Sequence, residues 1–339
     1  MKKVIYSARI KYRKKTGNKF MKSSKKMFIL VECILGCLLI GMIIFTVQKR
    51  QGQDLKRISV IIQNSDETQW SAFKYGLKMA AQDENVDVFI INPTQFQTAK
   101  EEMSAIQHEI DKGADALIIE PVADETLAEQ LKKIKVPVLL LSELSAAPEN
   151  TSKIPVAEPD HYEMGKRLVE ELLKDNDGKL KQKKVGIFLS NNRSEAIKKR
   201  EKGVQDALSE TDAKICWVTE AGEDAKLLKQ QEKVDYLFAL DDRSLVEAGK
   251  AVKENEIYGS MIYGIGCSTE AAYYLDTGEA ECLLVPDEFN VGYESLVELS
   301  HALKKMTYCV HGKVLSYTVL RKENLFSEKN QELLFKMSQ

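Results

Sequence analysis

Histidine and cysteine are scarce in this 339-residue sequence, which holds four histidines and six cysteines. No two cysteines form a CxxC pair, and no Cys/His spacing matches a zinc site, so we expect no structural zinc. Three cysteines (Cys216, Cys267 and Cys282) lie in apolar runs, which predicts buried thiols. If a disulfide forms, the candidate pair is Cys282–Cys309.

Motifs that bind nucleotides or carry hydrolytic chemistry are also missing. The sequence contains no GxGxxG, no GxxxxGK[ST] and no GxSxG, so dinucleotide, P-loop and α/β-hydrolase chemistry have no support. The four histidines (His108, His161, His301 and His311) fall in helical or surface contexts. We therefore predict no enzyme, no catalytic residues and no cofactor.

Acidic side chains are absent from residues 1–26, which carry eleven Lys or Arg. The apolar segment that follows, Met27–Val47, has one charge, Glu32. Its 21 residues are enough to cross a hydrocarbon core of roughly 30 Å. The basic excess before the segment predicts a cytoplasmic N-terminus and a main domain outside the cell membrane. From residue 27 onward, 38 basic side chains face 51 acidic ones, which gives no reason to expect nucleic acid.

Two other interpretations of the N-terminus remain. A cleaved signal peptide normally has a shorter apolar region and a small-residue cleavage site, whereas this segment continues to Val47. The tetrad Ile34–Cys37 loosely resembles a lipobox, in which Cys37 would be acylated. Met21 could also be the true start, since the sequence after it keeps a basic region. We favour an uncleaved, single-pass anchor.

Short apolar runs alternate with amphipathic helical stretches from Arg57 onward. The ten runs are 58–63, 86–92, 116–121, 137–142, 153–159, 184–190, 213–219, 236–241, 261–266 and 282–287. Several are apolar at nearly every position, as in strands covered on both faces. This alternation predicts an α/β fold with parallel sheets, and ten strands favour two lobes. Ligands of such sheets bind at the carboxyl ends of the strands.

Eight segments, in order, resemble type I periplasmic solute-binding proteins of the ribose/galactose class. They include "QWSAFKYGLKMAAQDENVDV", "GADALIIEPVADETL", "KVPVLLLSE", "PDHYEMG", "SEAIKKREKGVQDAL", "YLFALDDRSLVEAGKAV", "YGIGCSTEA" and "VPDEFNVGYESL". The resemblance implies two Rossmann-like lobes joined by a three-crossing hinge near 155–160, 285–290 and 310–316.

The resemblance and the N-terminal analysis together imply six parts. These are a basic segment (1–26), a transmembrane helix (27–47), a linker (48–56), lobe 1 (57–157 plus 288–312), lobe 2 (158–287 plus 313–326) and a C-terminal tail (327–339).

The resemblance also implies where a ligand binds. The corresponding positions are Asp66, Gln69, Trp70, Ser142, Glu143, His161, Lys198, Arg200, Asp241 and Asp242. Several depart from the sugar-binding pattern: Ser142 and Glu143 replace an Asp-Arg pair, His161 replaces Asn, and Lys198 replaces Arg. The set suits a sugar, a polyol, an amine or no ligand at all.

Simpler structural roles compete with ligand binding at several of these positions. Trp70 shares a helical stripe with Phe73, so it anchors the core or offers a stacking platform. Asp66 could cap the first helix, and Asp241 or Asp242 a later one. Lys198 and Arg200 belong to a charged run typical of a solvated face.

We expect a membrane-anchored extracytoplasmic solute-binding protein that captures a small polar, sugar-like ligand. Its partner would be an ABC permease or a sensor histidine kinase. The alternative is a ligand-free interaction module of a signalling complex. A gene regulator with the same effector fold would need an N-terminal helix-turn-helix, and residues 1–56 offer an apolar segment instead.

Overall fold

The computed structural model of the chain describes residues 34–42, 55–63, 68–93, 96, 98–122, 126–144, 154–190, 194–220, 225–254, 257, 259–305 and 307–339. The chain divides into two compact units, Met1–Leu55 and Lys56–Gln339. Residues 34–42 of the first unit are helical, and the rest of the predicted membrane segment lies outside the described residues. In the part of the chain that is described, no helix has both the length and the apolar character needed to span a bilayer.

The second unit alternates strands and helices. Its strands are β1 (Arg57–Ile61), β2 (Asp87–Ile91), β3 (Ala116–Ile119), β4 (Val138–Leu140), β5 (Ala157–Pro159), β6 (Lys184–Leu189), β7 (Lys214–Glu220), β8 (Tyr236–Ala239), β9 (Met261–Ile265), β10 (Ala280–Pro286), β11 (Lys313–Leu315) and β12 (Tyr317–Leu320). Its α-helices are α1 (Ser71–Glu84), α2 (Ala99–Asp111), α3 (Leu127–Leu131), α4 (His161–Asp175), α5 (Glu195–Ser209), α6 (Asp242–Lys253), α7 (Thr269–Thr277), α8 (Glu288–Lys304) and α9 (Glu328–Met337).

Two parallel sheets organise these elements. The first has strand order β2-β1-β3-β4, and the second has order β12-β10-β9-β8-β6-β7, with β12 antiparallel to β10. Strands β5 and β11 form a parallel pair, and a bridge from Leu140 to Val156 connects β4 with the segment that enters β5. This confirms the predicted α/β architecture with parallel sheets. All ten predicted apolar runs contain a strand, whereas β11 and β12 were not predicted.

The chain passes between the two sheets at three places. Strand β5 leads into α4, which packs against α5 beside the second sheet, and β10 leads into α8, which packs against α1 beside the first. Strand β11 then continues into β12 of the second sheet. We call the part built on the first sheet, with α1–α3 and α8, the first lobe, and the part built on the second sheet, with α4–α7, the second lobe. The predicted lobe limits at 157 and 312 fall at the β5–β11 pair and remain a prediction.

Apolar side chains cover both faces of each sheet, because helices lie on both sides. In the first sheet, Ile58 and Val60 belong to the cluster under α1 and α8, whereas Ile61 belongs to the cluster under α2 and α3. Two further clusters cover the two faces of the second sheet. This burial explains why the strands read as continuous apolar runs rather than as alternating ones.

The C-terminal segment 327–339, predicted as a tail, contains helix α9, which contacts both lobes. Met337 is buried in a second-lobe cluster. Phe335 packs edge-on against Tyr75 of α1, with ring centroids 6.1 Å apart, and the Lys336 ammonium lies 4.1 Å from the Phe289 ring centroid.

The cysteines correct one expectation. Cys282 is buried in β10, Cys309 is exposed, and both thiols are free. The candidate disulfide Cys282–Cys309 is therefore wrong. Cys267 and Cys282 are buried as predicted, whereas Cys216 is only half-buried.

Glycines let the principal helix pairs approach closely. A Cβ on Gly76 of α1 would lie 2.0 Å from the Phe289 carbonyl oxygen of α8, and one on Gly292 would lie 2.3 Å from the Phe73 oxygen. The second lobe repeats the arrangement. There, a Cβ on Gly165 of α4 would meet the Arg200 oxygen of α5 at 2.1 Å.

Replacing Gly203 with alanine should destabilise the second lobe. Its Cβ would lie 2.2 Å from the Tyr162 carbonyl oxygen, so α4 and α5 must separate, at a cost of about 1–3 kcal/mol. Chemical denaturation of Gly203→Ala measures this loss. The control is Lys202→Ala, an exposed neighbour on the same helix. Equal stability of the two variants would contradict the close packing.

Candidate functional site

Polar side chains gather where the carboxyl ends of the two sheets approach each other. Cys267 follows β9 of the second lobe, and its Sγ donates to the backbone oxygen of Gln69, which precedes α1 of the first lobe, over 3.3 Å. Lys199 of α5 reaches Glu143, which follows β4. We call the boundary marked by these four residues the cleft. It lies where open parallel sheets place their ligands.

Trp70 is held in place by the first lobe and is half-buried. Its ring packs edge-on against Phe73, with centroids 5.4 Å apart, and its indole N–H donates to the Gln63 carbonyl oxygen over 3.2 Å. The ring therefore contacts the core, as the anchor role predicts, and keeps an accessible part. Its role as a stacking platform stays a prediction. Asp66 lies outside the described residues.

Lys199 is the centre of a group of charges in the cleft. Its ammonium lies 2.9 Å from Glu158 Oε1 of β5 and 3.1 Å from Glu143 Oε2. Burial raises the pKa of Glu158, and the hydrogen bond from Lys199 acts in the opposite direction. The chain itself thus supplies a cationic partner for Glu143.

His161 connects these charges to Arg200. Arg200 is buried, and its Nε donates to His161 Nδ1 over 3.2 Å while its guanidinium also donates to the Leu240 carbonyl oxygen over 2.8 Å. His161 Nδ1 therefore holds a lone pair, and its other nitrogen lies 3.6 Å from Glu158. Burial, together with the positive charges of Arg200 and Lys199, lowers the pKa of His161 well below its usual value. His161 is thus neutral at physiological pH.

Asp241 and Asp242 act mainly on the backbone. Asp241 caps α6 by accepting from the Ser244 N–H over 3.0 Å, and its second oxygen accepts from the Ser190 N–H over 2.7 Å. Asp242 accepts from the N–H groups of Cys267 and Ser268 over 2.7 and 2.8 Å. Both carboxylates therefore fix the strand ends of the second lobe beside the cleft, in agreement with the capping role predicted for at least one of them.

Two further predicted positions, Ser142 and Lys198, do not belong to the charged group around Lys199. Ser142 is buried two residues after the end of β4. Lys198 is exposed on α5 and pairs with Glu195 of the same helix over 2.6 Å. The structure thus brings together Gln69, Glu143, His161 and Arg200 near the lobe boundary and places Lys198 on a solvated helix face.

Glu288 was not predicted as a site residue. It opens α8 directly after the crossing from the second lobe, and its charge interacts with Arg200 and Cys267. Within the described residues its carboxylate makes no hydrogen bond or ion pair. Burial raises the pKa of Glu288 to about 7, although the positive charge of Arg200 acts in the opposite direction. A cleft carboxyl in this state can donate or accept a hydrogen bond near neutral pH.

Sequence reasoning also missed Lys199, Glu158 and Cys267. Lys199 lies between the two predicted residues of the basic helix, and only the helical phase distinguishes it from Lys198. Glu158 stands in a strand read as an apolar run. A charged residue inside an apolar run could have identified Glu158 from the sequence, because a buried acid needs a partner.

The chain matches a family profile described as a periplasmic binding protein domain over residues 58–306, more than half of its length. The chain belongs to the periplasmic binding protein family. The family and its solved relatives are non-enzymatic solute-binding proteins, which confirms that the chain is not an enzyme. A search of curated protein sequences finds no match.

Solved structures of this family share the fold at low sequence identity. A carbohydrate-transporter solute-binding protein from Agrobacterium radiobacter, in complex with D-arabinose, superposes with a TM-score of 0.73 at 16% identity, covering 84% of this chain and 100% of that one. GanP, a glucose-galactose binding protein from Geobacillus stearothermophilus, gives 0.68 at 18%, covering 81% and 100%. XylFII in its complex with LytSN gives 0.68 at 15%, covering 80% and 99%.

Glu288→Gln should change how stability depends on pH. The folded chain keeps a proton on Glu288 up to about pH 7, whereas an ordinary Glu releases it near 4.5. The stabilisation linked to that proton is complete below pH 4.5 and is lost as the pH rises through 7. Relative to the wild type, the variant should therefore gain about 2–3 kcal/mol between pH 5 and pH 8.

Thermal unfolding at the two pH values measures this difference. Glu281→Gln, at an exposed position on β10, is the control and should follow the wild type. If Glu288→Gln also follows the wild type, Glu288 is an ordinary solvated acid.

Proposed function

We propose that the chain is a membrane-anchored, extracytoplasmic solute-binding protein that captures a small polar, sugar-like ligand between its lobes. The observation that carries the proposal is the cleft, where both lobes contribute polar side chains at the carboxyl ends of parallel strands. Trp70 offers a ring face to a sugar, and Glu288 offers a carboxyl group without a described partner. Two solved relatives with the same fold are named for sugar binding or hold a sugar.

The membrane partner is proposed to be an ABC permease or a sensor histidine kinase. An importer fits the relative described as a carbohydrate-transporter component. A signalling partner fits XylFII, which is solved together with a second protein, LytSN. Isolation of the full chain from membranes with its bound proteins separates the two, because recovery of permease subunits alone would exclude the signalling version.

A ligand-free interaction module is the second candidate. It is favoured by the pairing within the cleft, where Lys199, Glu143, Glu158, His161 and Arg200 satisfy one another. In this version the lobes present a surface to a partner and no solute enters. Ligand titration discriminates between the two candidates.

Tryptophan fluorescence provides that titration, since the chain has only two tryptophans, Trp70 and Trp217. In the detergent-purified full chain carrying Trp217→Phe, emission reports on Trp70 alone. We expect saturable changes with at least one of D-arabinose, D-glucose and D-galactose. Trp70→Ala should weaken binding, measured by calorimetry, about tenfold through loss of the ring contact. No spectral change with any sugar would favour the ligand-free module.

The proposed location can be tested with the exposed Cys309 thiol. A membrane-impermeant maleimide added to intact cells should label the full chain, and Cys309→Ser should remove most of that label. The thiol is accessible only if the main domain lies outside the membrane. Labelling that requires cell lysis would contradict this orientation.

A further inference from the structure

Lys199 connects the two lobes through charge. It projects from α5 of the second lobe to Glu143, which follows β4 of the first lobe, and to Glu158 in β5, the first strand at the hinge. The backbone N–H of Glu143 also donates to Glu158 over 3.3 Å. One ammonium therefore joins two carboxylates that belong to different segments of the chain.

The burial of Glu158 and the partial burial of Lys199 distinguish this group from a surface ion pair, whereas Glu143 is exposed. Glu158 is 10% exposed, Lys199 is 29% exposed and Glu143 is 55% exposed. A carboxylate as buried as Glu158 is costly without a cation. If Lys199 is removed, Glu158 loses its cation but keeps the negative charge of Glu143 beside it. That charge raises the pKa of Glu158.

Other groups that approach Glu158 cannot replace Lys199. His161 lies 3.6 Å from Glu158 but is neutral, because burial and two nearby cations lower its pKa. Arg200 donates to His161 and to the Leu240 carbonyl oxygen, both within the second lobe. Lys199 is therefore the cation in direct contact with these acids among the described residues.

A ligand that closes two lobes does so by contacting both of them. Lys199 makes such a contact from within the chain. We propose that Lys199 is a positioning residue that holds the lobes together without a ligand, so that it sets the ratio of closed to open molecules. The proposal rests on the two-lobed clamp of the proposed function, but it requires no particular solute.

The neighbouring Lys198 is a matched control. It lies on the same helix and has the same charge, but its ammonium pairs with Glu195, one turn away within α5. Lys198→Met and Lys199→Met thus remove the same charge from adjacent positions. Only the second variant removes a contact between lobes. Lys199→Arg keeps the charge and should rescue closure.

Distances between two spin labels report on closure directly. The labels replace Lys100, in the first turn of α2, and Glu270, in the first turn of α7, both exposed. Each helix starts at the carboxyl end of a strand, so the pair spans the cleft. The labels are attached to full chain carrying Lys100→Cys and Glu270→Cys, with Cys33, Cys37, Cys216 and Cys309 replaced by serine.

Without any added sugar, the wild type and Lys198→Met should give the same short distance. Lys199→Met should shift the population toward a longer distance, with the open-to-closed ratio rising about fivefold. Lys199→Arg should restore most of the short distance. An unchanged distribution in Lys199→Met, or an equal shift in Lys198→Met, would overturn the proposal.

Glu143→Gln tests the same contact if Lys199→Met does not fold. It removes the more exposed acid and leaves the Lys199–Glu158 pair in place, so it should increase the long-distance population by a smaller factor. No increase would count against the proposal. The distance measurement contains no sugar, so its outcome is independent of the fluorescence titration. A shift in distance, together with no sugar binding in the titration, would support the role of Lys199 and reject the solute-binding function. Sugar binding without any shift would do the reverse.

Discussion

The structure depends on two parallel sheets whose strands end at a common boundary. Parallel strands place every following turn at one edge, and the three chain crossings bring the edges of the two lobes together. The contacts from Cys267 to Gln69 and from Lys199 to Glu143 lie at this boundary. Polar residues that are far apart in the sequence become neighbours for this reason.

The close packing of helices beside each sheet keeps these edges in position. Glycine pairs on α1 and α8, and on α4 and α5, allow backbone contact within each lobe. This packing makes each lobe compact, with its own helix pair. Helix α9 adds a contact with both lobes, through Met337 on one side and Phe335 on the other.

The strand pattern could be predicted because burial on both faces demands continuous apolar runs, as in "ISVII" and "ALII". Short, mixed strands such as Lys313–Leu315 have no such signal. At the site, the segments were predictable but the individual roles were not. A step of one residue turns a helix by about 100°, which separates Lys198 from Lys199. Glu288 gains its environment from a crossing between lobes, which local sequence does not report.

Hydrogen–deuterium exchange of the full chain, with and without sugar, tests the central claim most directly. A solute bound between the lobes should slow exchange together in segments of both, at residues 68–77 of the first lobe and 241–248 of the second. This result is expected because closure restricts both edges at once. Protection in one lobe alone, or in neither with any sugar tested, would contradict a solute-binding cleft.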